Sequence, residues 1–225
     1  MNRQGRNQVI LTIAILNCIQ FLLLTTTAMF FYPGGTFMDP NTISYSIWKN
    51  LFSDLGQYIA HSGESNFISF IMYNLSLFLM GALYIPYFIV FPSLLSKDQG
   101  GRGFCIAGSI FGIIISVCMV GASLTPADLI YTVHVVFGLI KFLSLVPLAI
   151  IFTIAIFKNK LYPNRYAFIY LAFGIIQFIF IFIMASGFTE QEVSGIFAAG
   201  QNIVVYAMTI TFLIQAYGAW KFNKL

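Results

Sequence analysis

Charge is what this sequence has least of. Eleven Lys and Arg and seven Asp and Glu make up 8% of its 225 residues. Soluble domains carry about 25% charged residues, so this chain has too little polar surface to cover itself in water. Histidine occurs twice and cysteine three times. Cys18, Cys105 and Cys118 all fall within apolar runs, which argues against a disulfide framework. No HExxH or paired-cysteine spacing is present, and two histidines make a thin zinc site, so neither metal nor cofactor is expected. There is no phosphate-binding glycine loop, nucleophile elbow or nucleotide motif. The formal net charge of +4 is not a nucleic-acid signal. The basic residues sit in short connections between apolar runs, where they orient spans and meet anionic head groups. No nucleic-acid partner is expected; the expected partner is membrane lipid.

What is present is apolar length. The chain is 59% hydrophobic, with a mean hydropathy of +0.88. Crossing about 30 Å of hydrocarbon takes about 20 residues as a helix. Six runs qualify, near 9–31, 67–91, 103–124, 129–157, 166–186 and 195–220. They predict one all-α membrane domain over 1–225, a six-transmembrane-helix bundle. The first run reads as a retained span, because it is too long for a signal peptide and no small-x-small cleavage site follows. Arg3, Arg6, Lys97, Arg102, Lys158, Lys160, Arg165, Lys221 and Lys224 fall at one set of span ends. Asp39, Asp54, Glu64, Asp128, Glu190 and Glu192 fall at the other with Lys49, and Asp98 is the one acid on the basic side. Basic loops mark the cytoplasmic side, so the expected location is the cell membrane with both termini cytoplasmic.

The connections on the basic side, 92–102 and 158–165, are short. The two later connections on the opposite side carry Thr125-Pro126-Ala127-Asp128 and Thr189-Glu190-Gln191-Glu192. Both match a Thr-x-x-acid capping box, and Pro126 suits a first helical position. Ala122-Ser123 and Ala185-Ser186 precede the boxes, which hints at a duplicated hairpin. The first such connection, 32–66, is far longer than a usual loop, and loops of that length are functional or disordered. Pro33-Gly34-Gly35 predicts a turn, and Asp39-Pro40 an N-cap with a first helical residue. Over 42–61 the period is helical. Thr42, Ser46, Lys49, Asn50, Ser53, Asp54, Gln57 and His61 share one face; Ile47, Trp48, Leu51, Phe52, Leu55, Tyr58 and Ile59 share the other. The expectation is an amphipathic outer helix near 40–61, lying on the membrane or lidding the bundle.

Its polar stripe is the first candidate site, with Asn50, Ser53 and Asp54 binding a polar group; the plain alternative is a solvated face. Asp128 and His134, at the start of the fourth run, are the second, although Asp128 also has a sufficient role as a cap. Lys141 is the third. It follows His134 by seven residues on the same helix face. A lysine at mid-bilayer costs about 2.5–3.5 kcal/mol on insertion scales, and snorkelling is a long reach from there. Pairing with a folded-in Asp54, a bound anion, or a neutral amine would each relieve that cost. Asn17, Gln20, Asn74, Gln177, Gln201 and Asn202 are buried amides, expected to make interhelical hydrogen bonds. Ser53, Asp54, Asp128 and His134 are expected to converge on one outward-facing pocket with Lys141 as its floor.

Pro33-Gly34-Gly35-Thr36, Asp39, Tyr45-Ser46 and Asn50-Leu51-Phe52-Ser53-Asp54-Leu55-Gly56 resemble a family of small prokaryotic six-span proteins of unknown function. That family pairs a Pro-Gly-Gly turn with an Asn-Phe-Leu-Ser-Asp-Leu-Gly-like segment. It is similar in turn to the broader Frag1/DRAM/Sfk1 group. Asp128, His134 and Gln201 also look like family positions, while Asn-Leu-Phe here departs from Asn-Phe-Leu. The resemblance implies a six-helix bundle in the cell membrane and carries no established activity. The wider group's association with lipid anchors and membrane-lipid organisation points by analogy to lipids. The function expected is therefore recognition or handling of a lipid or amphiphile. One alternative is an intramembrane lipid hydrolase or transferase, with Asp54 or His134 as base and Ser53 as nucleophile. The other is a small-solute transporter using Lys141.

Overall fold

The computed structural model describes residues 2–95, 101–187 and 195–224. Six helices form: α1 (Arg3–Phe31), α2 (Phe67–Leu95), α3 (Arg102–Ser123), α4 (Tyr131–Phe157), α5 (Arg165–Gly187) and α6 (Gly195–Asn223). Each is long and apolar enough to cross a membrane. In hydrocarbon a backbone must satisfy its own polar groups, and a helix does this within one segment. The fold is the expected six-helix bundle of a multi-pass membrane protein.

Each helix packs on the next, and α6 closes back on α1, so the six form a ring. Its far half, away from the 32–66 connection, is filled by aromatic side chains. Tyr84, Tyr87, Phe88, Phe91, Phe152 and Phe212 are fully buried there. Tyr84 stacks on Phe212 at 5.0 Å and Tyr87 on Phe91 at 5.3 Å between centroids, and the Tyr84 hydroxyl donates to the Phe212 carbonyl at 2.6 Å. Buried amides tie helix to helix as expected. Asn17 donates to the Leu79 and Met80 carbonyls, Gln20 to Ser76, Gln177 to Phe142 and Gln215 to Tyr166.

The other three amides hold something else. Asn74 donates to the Gly56 carbonyl, Asn202 to those of Ile47 and Asn50, and Gln201 accepts from the Phe52 amide. They grip the backbone of the 32–66 connection, which folds over the near end of the ring.

That connection corrects the expectation of an amphipathic helix over 40–61. Its one helical piece is a five-residue 3-10 turn, Phe52–Gly56, flanked by bends and turns. Two causes are visible. Asn50 spends its side chain on backbone groups, accepting from the Ser46 amide and donating to the Gly35 carbonyl, a local competition that disfavours helix. The bundle also buries residues from both supposed faces. Phe52 and Leu55 are buried, and so are Asn50, Asp54 and Gln57, whereas Ile47, Trp48, Tyr58 and Ile59 are exposed. Phe52 is the apolar anchor, with its ring against Phe21 of α1, Tyr73 of α2 and Tyr206 of α6. Asp39 caps no helix; its carboxylate accepts from the Asn41 amide within a turn. The Pro-Gly-Gly turn does form, with Gly34 at φ 112° and Gly35 at φ 80°. A Cβ on Gly35 would collide with the backbone of His61 and Ser62, so the turn is also where the loop closes on itself.

The first capping box does not form either. Ile130 is the N-cap of α4, the Thr125 hydroxyl donates back to the Gly121 carbonyl, and Asp128 turns towards the loop. The second box, with Glu190 and Glu192, lies outside the described residues, as do Lys97 and Asp98.

Candidate functional site

Between the loop and the aromatic half of the bundle lies a cavity of about 680 Å³. Sites that enclose a small-molecule ligand measure about 300–1,000 Å³. The loop, α2, α4, α5 and α6 all contribute to its wall. The polar lining gathers at the loop end, where Ser53, Asp54, Gln57, His61, Asp128, His134 and Gln201 stand among Phe37, Leu51, Phe52, Ile59 and Phe197. Deeper, at the level of Lys141 along the helices, it is apolar, with Leu77, Leu139, Phe142 and Val205.

Asp54 organises the polar end. It sits inside the 3-10 turn and is 2% exposed. Its Oδ2 accepts from the Leu51 amide at 3.0 Å and Asn50 Nδ2 at 3.1 Å; its Oδ1 lies 3.4 Å from both Gln57 Nε2 and His61 Nε2. The contact with His61 is the ion pair found among the described residues. The hydrogen bond to the Asp54 carboxylate raises the His61 pKa above its ordinary value against the opposing effect of burial, and the charges of Asp54 and Asp128 add to it. Burial also pushes the phenols of Tyr32 and Tyr45 up, and the Asp54 carboxylate reinforces both shifts. Tyr45 donates to Asn202 at 2.7 Å, which carries the network into α6.

Asp128 is a clamp. Its Oδ2 accepts from the backbone amides of Tyr58 at 2.9 Å and Ile59 at 3.0 Å, pinning the end of the loop to the α3–α4 connection. His134 Nδ1 donates to the Thr125 carbonyl at 2.8 Å, so that nitrogen carries the proton. Lys141 lies seven residues on, about 10.5 Å deeper at about 1.5 Å per residue. It is 8% exposed.

The structure thus brings Ser53, Asp54, Asp128, His134 and Lys141 to one cavity. Asn50 is not on its wall. It is fully buried and works behind Asp54, holding that carboxylate to the Gly35 carbonyl. Pairing of Lys141 with Asp54 does not occur, since Asp54 pairs with His61. Gln57, His61 and Gln201 are additions to the expected set. The first two were visible as members of the polar stripe. Gln201 stood out in the sequence only through the family resemblance, and its contact with the loop depends on tertiary structure. No group of three or more His, Cys, Asp or Glu able to hold a metal occurs among the described residues.

No protein-family model, curated protein or solved structure matches the chain.

Proposed function

We propose that the protein binds a membrane amphiphile in this cavity, with the loop on the outer face of the cell membrane and both termini cytoplasmic. The observation that carries the reading is where the cavity keeps its polar groups: they gather beneath the loop, and towards mid-membrane the wall is apolar apart from Lys141. A molecule with a polar and an apolar part fits that arrangement; a fully solvated solute does not. The resemblance of residues 33–56 to a six-span family of unknown function, itself similar to a lipid-associated group, supports lipid by analogy, and the one-sided distribution of basic residues supports the orientation.

Gly138 provides the test. It lines the cavity on the same face as His134 and Lys141, and a Cβ built there meets nothing within 4 Å. Gly138→Leu therefore sets its Cβ in open space and extends its side chain into the cavity. Purified wild-type protein is expected to carry a defined lipid species by native mass spectrometry, and the variant to lose it while remaining monodisperse. Equal retention by both proteins would place the lipid elsewhere.

A second reading, a lipid hydrolase or transferase, draws on the Asp54–His61 contact beside Ser53. A carboxylate orienting an imidazole is a recurrent way to hold a general base. On that reading Ser53→Ala abolishes turnover of the co-purified lipid and leaves its binding intact.

A further inference from the structure

We infer that the occupant of the cavity is a single-chain amphiphile bearing an acid group, and that Lys141 is the counter-charge to that group. This rests on the amphiphile reading above and adds the charge and its location.

Lys141 is more than nine-tenths buried and lines the cavity. Among the described residues no carboxylate lies within 4.0 Å of it. Its Nζ lies over the face of the Phe142 ring, 4.2 Å from the centroid. A ring face offsets part of the desolvation of an ammonium but accepts none of its three N–H bonds in the ordinary way. The two carboxylates of the cavity do not serve it. Asp54 is engaged by Asn50, Leu51, Gln57 and His61, and Asp128 by the Tyr58 and Ile59 amides. A buried, unpaired cation is costly, and an anion brought in by a ligand is the partner the site lacks.

The route and surroundings narrow the class. His134, Gly138 and Lys141 follow one another down one face of α4, and the open space at Gly138 leaves a notch leading to the ammonium. At the level of Lys141 the cavity walls are Leu77, Leu139, Phe142 and Val205. A small free anion entering there would give up its hydration with one donor in return. An acid with an acyl chain loses the same hydration but buries the chain against those walls. The cavity of about 680 Å³ has room for one acyl chain against those walls.

The test compares palmitate, hexadecanol and acetate as probes of purified wild-type protein in detergent, with Lys141→Met and Lys141→Arg beside it. Direct binding is measured with labelled palmitate and hexadecanol, and acetate is used as competitor. Palmitate is expected to bind wild type roughly 10- to 100-fold more tightly than hexadecanol, the span for loss of one hydrogen bond to a charged group. Lys141→Met should lower palmitate affinity to the hexadecanol level without changing hexadecanol. Lys141→Arg should keep the preference. Equal affinity of wild type for palmitate and hexadecanol overturns the acid assignment and leaves the amphiphile reading standing. Binding of neither overturns both. Displacement of palmitate by equimolar acetate shows that a free small anion is the ligand and overturns the single-chain assignment. Should Lys141→Met fail to fold, the wild-type comparison of acid against alcohol still decides.

Discussion

Asp54 is the residue on which the loop's polar interior depends. A buried carboxylate that accepts several hydrogen bonds is worth more to the fold than to any surface pair, because each bond is strengthened by the charge. Asp54→Asn keeps the shape and removes the charge. It is expected to lower stability by about 1.5–3 kcal/mol, read as a fall in melting temperature of the purified protein. His61 adds a pH dependence with a definite sign. Its folded pKa is raised above the unfolded value of about 6.5, chiefly by the bond to Asp54. The stabilisation it contributes is fully present below about pH 6.5 and is lost as pH rises through the folded pKa. The melting temperature should therefore decline as pH rises through that range, and His61→Gln should flatten this part of the profile. An unchanged slope in the variant would assign the effect to another group.

At the scale of elements, the spans and the loop differ in how legible they were. A span is specified by composition over about 20 residues, so α1 to α6 appear in the sequence within a few residues of their ends. The loop is specified by contacts between distant residues. Its 3.6-residue period was real as a pattern, yet Phe52 needed a slot between α1, α2 and α6, and Asp54 needed the Asn50 side chain, and both could be met only by giving up the helix. The candidate site fared better because depth follows from position along a span. His134 and Lys141 on one face of α4 were readable from spacing, whereas Asn50 sitting behind the cavity wall was not. Asp128 joins the two kinds of element. Asp128→Ala removes the acceptor for two loop amides, so hydrogen exchange at Tyr58 and Ile59 should accelerate roughly tenfold, corresponding to about 1.4 kcal/mol. Exchange within α4 should not change, since Ile130 and not Asp128 is its N-cap.

For the molecule as a whole, orientation is the property that decides which compartment the cavity serves. Arg3, Arg6, Arg102, Lys158, Lys160, Arg165, Lys221 and Lys224 lie at the end opposite the loop, and Lys49 lies with the loop. Single cysteines at Gly63, on the exposed loop tip, and at Lys224 measure this directly in intact cells. An impermeant thiol reagent should label the first and spare the second until the membrane is opened. The reverse pattern would turn the cavity to the cytoplasm without altering its chemistry.

Apart from the Phe52 anchor and the Tyr45 hydroxyl, the bundle holds the loop by hydrogen bonds to its main chain. Gln201 takes the Phe52 amide, Asn202 the carbonyls of Ile47 and Asn50, Asn74 that of Gly56, Ser69 that of Leu55, and Asp128 the amides of Tyr58 and Ile59. A scaffold that grips backbone is indifferent to what the gripped residues display. Ile47, Trp48, Tyr58 and Ile59 can change identity while the frame around them stays as it is. Selection can thus retune what the loop presents to its surroundings in single steps, without passing through an unfolded intermediate sequence.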